Sequence, residues 1–413
     1  MKNTIAVIGG GASGMMAAIA AAEKGAQVTI YEGQDRIGKK ILVTGSGRCN
    51  LGNKDLSISH YHSSDKALLE QCLLIFGTEE SISFFNHLGL LIKEKNGYLY
   101  PFSEQAAVVL DVLRIRLSAL SVNILTNHQI SHVKKEKNNK FTLLNRENKT
   151  IGQGFDRVIV TCGGKAAPKT GSDGRGYIIA KELNHSIKKV VPALVPLICE
   201  ENYCKAIAGV RAEARITVYD GKQKIACESG ELQLVEYGIS GIPIFQLSGQ
   251  INYALLKTNK LAAHIDFLPF MEEEDFMRMI QQKKEHIDNR SVEAFFTGMI
   301  HKKLIALFLK IAGLKANESI KRVPEKKIKE VYHLCKDFTL HIIGSKSFDN
   351  AQVCAGGVML KEVFPTMESK KQSGLFFAGE ILDVDGRCGG YNLQWAWSSG
   401  YIAGVNAAGK KDK

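Results

Sequence analysis

Ile5-Ala6-Val7-Ile8-Gly9-Gly10-Gly11-Ala12-Ser13-Gly14 decides the fold: an apolar run without polar alternation passes directly into the pattern Gly9-x-Gly11-x-x-Gly14. Such a run suits a parallel strand buried on both faces. In this pattern Gly9 permits a tight turn, Gly11 leaves room for a phosphate against the backbone, and Gly14 lets the next helix pack close to the strand. That helix is alanine-rich over residues 17–22 and stops at Gly25. Its amino end brings free N–H groups and partial positive charge to the turn. Val28-Thr29-Ile30-Tyr31 make the next strand, and Glu32 stands at its carboxyl end, eighteen positions beyond Gly14. A carboxylate there accepts hydrogen bonds from a ribose diol and repels a 2'-phosphate. Strand, turn, helix, strand and acid in register predict a Rossmann-like domain for the ADP half of a dinucleotide, in preference to an ordinary glycine turn.

A chain of 413 residues can bury two or three cores. Lys plus Arg number 54 and Asp plus Glu 42, a net charge of +12 that raises nucleic acid or an acidic ligand as partners. The excess is thinly spread. Its densest part, residues 315–336, also carries Glu318, Glu325 and Glu330, which favours a solvated helix face over an RNA site. An anionic substrate or NADPH accounts for the charge equally well. No run of about eighteen apolar residues is present to span a membrane, and the first strand starts too early to leave space for a signal peptide, so a cytoplasmic protein is expected. The nine cysteines are scattered, odd in number and never spaced Cys-x-x-Cys, which suits reduced thiols and no metal site.

Residues 36–50 form a basic, glycine-rich loop able to wrap phosphates and lay backbone against a flat ring. Flavin enzymes that reduce disulfides carry two cysteines about five apart at this place; only Cys49 is present, so a dithiol mechanism lacks its second sulfur. Residues 66–90 read as two helices separated by Gly77, residues 105–117 as a third, and residues 128–134 and 141–144 as a strand pair. Val158 to Thr161 form another buried strand ending in Cys162-Gly163-Gly164. Beyond Pro192 and Pro196 the texture changes to short strands at residues 216–219, 224–227, 232–235 and 238–244, with no helix expected before about residue 272. Residues 272–335 return to helical spacing, and residues 337–343 give a strand that closes the β region. The expected architecture is α/β: a Rossmann-like FAD-binding domain over residues 1–193 and 344–413, interrupted by a β-barrel-like substrate domain over 194–271 and 336–343 that carries a small helical insert over 272–335. Near the end, a strand leads into Ala378-Gly379-Glu380, followed by Asp383, Asp385-Gly386 and Gly389-Gly390-Tyr391-Asn392-Leu393-Gln394 opening a helix. A helix amino end aimed at the pyrimidine edge of a flavin stabilises the anion formed there on reduction.

Taken together, Gly9 to Gly14, Lys39-Lys40-Ile41-Leu42, Thr44-Gly45-Ser46-Gly47-Arg48-Cys49-Asn50-Leu51, Pro168-Lys169-Thr170-Gly171-Ser172, Gly238-Ile239-Ser240-Gly241-Ile242-Pro243 and the segment from Gly379 to Gln394 resemble the BaiN-like family of NAD(P)/FAD-dependent oxidoreductases. That family includes the 3-dehydro-bile acid delta-4,6-reductase and aminoacetone oxidases, and the resemblance covers nearly the whole chain. It implies FAD contacts at Gly9, Gly11, Ala12, Ser13, Gly14, Glu32, Lys40, Ser46, Gly47, Asn50, Val133, Gly379, Glu380, Asn392 and Leu393. Two departures stand out: Gly45-Ser46-Gly47 replaces three glycines, and Lys165-Ala166-Ala167-Pro168 replaces a serine- and tyrosine-containing version.

The resemblance implies reduction of an activated carbon–carbon double bond in a 3-oxo steroid or bile-acid-like enone, with NADH or NADPH as transient reductant. Hydride goes to the β-carbon, a donor stabilises the enolate oxygen, and a proton reaches the α-carbon. Arg48, Tyr237, Arg387 and Tyr391 are candidate donors. No second glycine fingerprint provides a separate nicotinamide domain, so the nicotinamide would share the substrate face. An apolar substrate needs an apolar wall, and the insertion is expected to supply it, with residues 237–243 either a loop that admits a bulky ring or merely a turn. Two other readings stay open: an amine or aminoketone oxidase using oxygen, and an RNA-associated flavoprotein.

Overall fold

In a computed structural model, which describes residues 2–286 and 290–409, the opening apolar run is the strand Thr4–Ile8 at the centre of a five-stranded sheet. The order is Leu375–Phe377, Arg157–Val160, Thr4–Ile8, Gln27–Tyr31 and Asn123–Leu125, and every neighbouring pair is parallel. Ile5, Ala6 and Val7 are fully buried, as a central parallel strand demands. Because the strands run the same way, their carboxyl ends deliver Gly9, Glu32, Thr161 and Ala378 to one edge of the sheet.

The helix Ala12–Glu23 follows the glycine turn, and the helix Tyr391–Ala408 packs along it. Small residues set their spacing. A Cβ on Gly400 would stand 2.5 Å from the Ser13 carbonyl oxygen, and one on Gly404 would overlap the Ala17 carbonyl. Asn3 Nδ2 donates to the Gly409 carbonyl at 2.7 Å, holding the start of the first strand to the far end of that helix.

The chain divides into two units, Met1–Pro192 with Ala351–Lys413, and Ala193–Asn350. The second contains a closed antiparallel barrel ordered Leu197–Cys199, Gly238–Gly241, Gln223–Val235, Arg211–Asp220, Leu261–Asp266 and Phe338–Ser345. Alternate residues of Leu261–Asp266 point into its core, as barrel geometry requires. The helices Lys302–Ile311 and Glu325–Lys336 share that core: the Phe308 ring lies 5.2 Å from Phe338 and 6.1 Å from Phe267. The protein is thus a mixed α/β molecule, a Rossmann-like domain with a six-stranded barrel.

Several expectations are corrected here. A helix, Ile242–Leu255, lies well before residue 272. Gly238–Gly241 is a strand of only four residues; Gly241 turns at φ 101°, and Pro243 in the first turn starts the helix. Residues 237–243 are therefore neither a loop nor a plain turn. Ile239 is fully buried in the barrel, paired with Leu197 and Leu234, and is no approach for a bulky ring. The two short strands expected between 216 and 227 belong to long ladders, and Gln223–Val235 runs unbroken for thirteen residues. The glycine-rich loop after Glu32 contains a short helix, Lys39–Val43.

Candidate functional site

The sheet edge in the first unit gathers most of the residues singled out above. Gly9 sits at φ 106°, and a Cβ there would press on the Thr161 carbonyl oxygen at 2.6 Å; one on Gly14 would overlap Gly9 itself. Around Gly11 there is open space where a Cβ would stand. The helix it begins has no side-chain cap, so its first-turn N–H groups, including those of Ser13 and Gly14, are left for a ligand. Ala12 and Ser13 form the first turn, and Ser13 Oγ donates to the Ala378 carbonyl at 3.4 Å.

Glu32 accepts from the Gly10 amide through Oε2 and from the Gln34 amide through Oε1, each at 2.8 Å. Two backbone donors thus fix the carboxylate beside the glycine turn while lone pairs remain on each oxygen for a diol. The segment leading to Val133 is tied to the same turn, since the His128 amide donates to the Glu32 carbonyl at 2.8 Å. Val133 itself is buried in the outer strand His132–Lys135, paired with Leu143.

The second glycine motif meets the first. Gly379, at φ 81°, leaves no room for a Cβ against Ser13; its amide donates to Ser399 Oγ at 2.9 Å and its carbonyl accepts from Trp395 Nε1 at 3.2 Å. Lys40 and Glu380 are paired at 2.6 Å, and the other Glu380 oxygen accepts from the Cys354 amide at 2.9 Å. Cys354 Sγ in turn accepts from the Lys165 amide at 3.0 Å. Sequence reasoning missed Cys354 because it flags thiols through pairing or metal spacing, and this one does neither.

Gly390, at φ 94°, precedes the helix Tyr391–Ala408, which also lacks a side-chain cap. Asn392 spends its side chain on Gly386, receiving from its amide at 2.8 Å and donating to its carbonyl at 2.7 Å, while Leu393 packs against the core. Asn50 Oδ1 is buried without a hydrogen-bond partner among the described residues, and a Cβ on Gly390 would stand 2.7 Å from it. In the adjoining turn, Ser46 and Gly47 have φ 55° and 84°. Two uncapped helix ends, the open space at Gly11, the fixed Glu32 carboxylate and the orphaned Asn50 oxygen fit an anionic dinucleotide with a flat polar ring.

Three of the four candidate donors lie in this unit. Arg48 is half-exposed, 5.6 Å over the Tyr100 ring and 3.9 Å from Glu104. Arg387 donates its amide to the His60 carbonyl at 2.9 Å. Tyr391 packs 4.7 Å from the His60 ring, and burial pushes its hydroxyl up to about 12. Tyr237 belongs to the barrel unit, where Lys346 Nζ sits 3.9 Å from its ring centre. Cys49 is fully buried, and burial, partly opposed by Thr44, raises its thiol to about 12. Among the described residues no cluster of His, Cys, Asp and Glu could hold a metal, and no helix is long and apolar enough to cross a membrane.

Comparison with known proteins bears on this geometry. The 3-dehydro-bile acid delta(4,6)-reductase of Clostridium scindens is 43% identical over 411 residues, covering 98% of this chain and 99% of that protein. Proteins named ribosomal RNA dihydrouridine synthase are 30% identical in Haemophilus influenzae, over 97% of both chains, and 27% identical in Escherichia coli, over 96% of this chain and 95% of that one. A family model described as the HI0933-like protein Rossmann domain matches residues 3–406. The resemblance read from the motifs thus extends along nearly the whole chain, and the chain belongs to the HI0933-like Rossmann family.

Proposed function

We propose that the protein is an FAD-dependent oxidoreductase that uses NADH or NADPH to saturate a carbon–carbon double bond conjugated to a carbonyl, with a 3-oxo steroid or bile-acid-like enone as substrate. The observation that carries this reading is the 43% identity, end to end, with a reductase named for that chemistry. FAD, when bound, supplies the hydride. The chain's residues hold and orient it. Gly9, Gly11 and the amides of residues 12–14 would receive the pyrophosphate and Glu32 the ribose diol, while Lys40 and Glu380 would line its approach to the ring. The amides of Tyr391, Asn392 and Leu393 would meet the pyrimidine edge, with Asn50 beside them. The barrel unit would select the substrate, since every flavin-like glycine motif lies outside it. None of the nine cysteines forms a disulfide, which is in keeping with a reducing, cytoplasmic setting.

Anaerobic titration of FAD-loaded protein with NADH and NADPH, then reoxidation by a panel of Δ4 and Δ4,6 3-oxo steroids read by product mass, tests the proposal. Reduced protein that reacts only with oxygen would favour an oxidase. A second reading has specific support in the two ribosomal RNA dihydrouridine synthases. Uracil presents the same motif, a C5=C6 bond conjugated to a carbonyl, and the net charge of +12 suits an RNA partner. Loss of dihydrouridine from ribosomal RNA in a strain lacking the gene would move the assignment to RNA.

A further inference from the structure

Tyr98-Leu99-Tyr100-Pro101-Phe102 alternates aromatic with apolar residues, and Lys93-Glu94-Lys95 places two cations at the same two-residue interval. The strands Ile92–Lys95 and Tyr98–Pro101 pair antiparallel, with Lys93 opposite Tyr100 and Lys95 opposite Tyr98. Opposed residues share a face of such a ribbon, and successive residues point to opposite faces. Leu99 and Pro101 are buried, and Glu94 stands opposite Leu99. The other face therefore presents Tyr98, Tyr100, Lys93 and Lys95. Phe102 continues the row, 61% exposed.

Cations lie on these rings. The Arg48 guanidinium is 5.6 Å over Tyr100, and Lys93 Nζ is 5.6 Å over Phe102. Glu104 fixes both, 2.6 Å from Lys93 and 3.9 Å from Arg48; Lys93 foremost, with Arg48 and Lys95, holds its carboxyl below the ordinary 4.5. Three cations thus face one carboxylate, and the row keeps a positive excess. Its inner end joins the turn assigned above to the flavin. Asn53, opposite Tyr98, donates through Nδ2 to the Gly389 carbonyl at 3.2 Å, and a Cβ on Gly389 would stand 3.0 Å from the rings of both Tyr98 and Tyr391. From Tyr98 to Phe102 an extended chain covers about 13 Å.

We propose that this row docks the adenosine diphosphate half of the nicotinamide dinucleotide, with the nicotinamide directed to the flavin turn at the Tyr98 end; the proposal rests on the NAD(P)H-dependent reading above. Rings that take the face of a base, interleaved with cations that take phosphates, hold nucleotides without a glycine fingerprint. Phe102, at the outer end, would stack the adenine, and Arg48, Lys93 and Lys95 would meet the pyrophosphate between it and Tyr98. The row therefore supplies what the chain otherwise lacks, a second nucleotide site beside the first. Its extent favours a dinucleotide over RNA: three cations along about 13 Å match one pyrophosphate, whereas a polynucleotide needs a longer basic groove.

Phe102→Ala and Lys93→Gln, compared with wild type in the FAD-loaded protein, test the assignment. Calorimetric titration with ADP-ribose, which carries the docking half and no nicotinamide, should show Kd raised about tenfold in each variant. Anaerobic stopped-flow reduction should show the same rise in the Kd of NADH or NADPH. Reduced nicotinamide mononucleotide, which lacks the adenosine half, should reduce variants and wild type at equal rates. Unchanged affinity for ADP-ribose, or a loss shared by the mononucleotide, overturns the proposal. Variants that lose binding to a ribosomal RNA fragment yet keep their affinity for NAD(P)H also overturn it and assign the row to RNA. Wild-type protein reduced by neither dinucleotide removes the NAD(P)H-dependent reading and this proposal with it, whereas a wild type that is reduced, matched by variants of unaltered Kd, removes the proposal alone.

Discussion

At Glu32 the carboxylate already holds two backbone amides at 2.8 Å before any ligand arrives, so its replacement has two separable costs. Glu32→Ala should weaken FAD retention by roughly 1 to 3 kcal/mol, the order of a charge-assisted hydrogen bond, and should also lower the melting temperature of the FAD-free protein. Dialysis against limiting FAD and a melt of stripped protein check each part; unchanged FAD affinity would show that Glu32 is not the ribose ligand. Ser46 holds φ 55° and ψ 42°, a left-handed conformation that costs a side-chain-bearing residue about 1 kcal/mol. Ser46→Gly should therefore raise the melting temperature by about 2 °C, and a fall would mean that the hydroxyl makes a contact worth more than the strain. Cys49, buried and with its thiol raised to about 12, should resist alkylation at pH 8 in the folded protein, and Cys49→Ala should keep turnover within about tenfold. The glycines and Glu32 were legible because their chemistry is local to thirty residues of sequence. Cys354 was not, since its meaning comes from the Lys165 amide, 189 positions away, and from Glu380, and a lone thiol gives no spacing signal.

Among elements, the barrel shows where pattern reading loses its grip. Gly238–Gly241 followed by Ile242 looks like one strand, because the helix beyond begins with the same apolar residues a strand would use. Only the Pro243 position distinguishes them, and proline suits a helix first turn as well as a strand edge. Barrel closure by Leu261–Asp266 was hidden for a different reason: pairing with Phe338–Ser345 spans the entire helical insert. A further element-level feature ties the end of helix Arg175–Glu182 to the turn after Glu362. His185 Nδ1 lies 3.3 Å from Glu362 Oε2, and Glu362 also receives Lys371 Nζ and the Ser186 amide, each at 2.8 Å. Burial holds the His185 ring below its ordinary 6.5. For Glu362, burial acts upward, but Lys371 and Ser186 outweigh it and bring the carboxyl down to about 2. Both groups bind fewer protons folded than unfolded, so both contribute stability at neutral pH that is lost on acidification, His185 from about pH 6.5 downward and Glu362 between its ordinary 4.5 and about 2. His185→Gln should flatten the fall in melting temperature between pH 7 and pH 5 relative to wild type; parallel curves would assign that acid sensitivity elsewhere.

For the molecule as a whole, the second unit is a single insertion whose entry and exit run side by side. Leu197 pairs with Ser345 inside the barrel, and Ile187–Ala193, all but its last residue in the other unit, pairs with Val353–Val358. Replacing residues 194–350 with a short glycine-serine linker should therefore leave a protein that binds FAD and has lost enone reduction; failure to bind FAD would show that the barrel unit contributes to the flavin site. The close packing of Ala12–Glu23 against Gly400 and Gly404 has a temporal consequence. The glycine fingerprint is translated roughly 380 residues before the helix that completes its cradle. At ribosomal speeds of about 5 to 20 residues per second that gap lasts about 20 to 75 seconds. During this interval the alanine face of the first helix has no partner, while the barrel, contiguous in the chain, can already close. Cofactor loading is then an event of the finished polypeptide, and chaperone occupancy on the nascent chain should concentrate on that waiting alanine face.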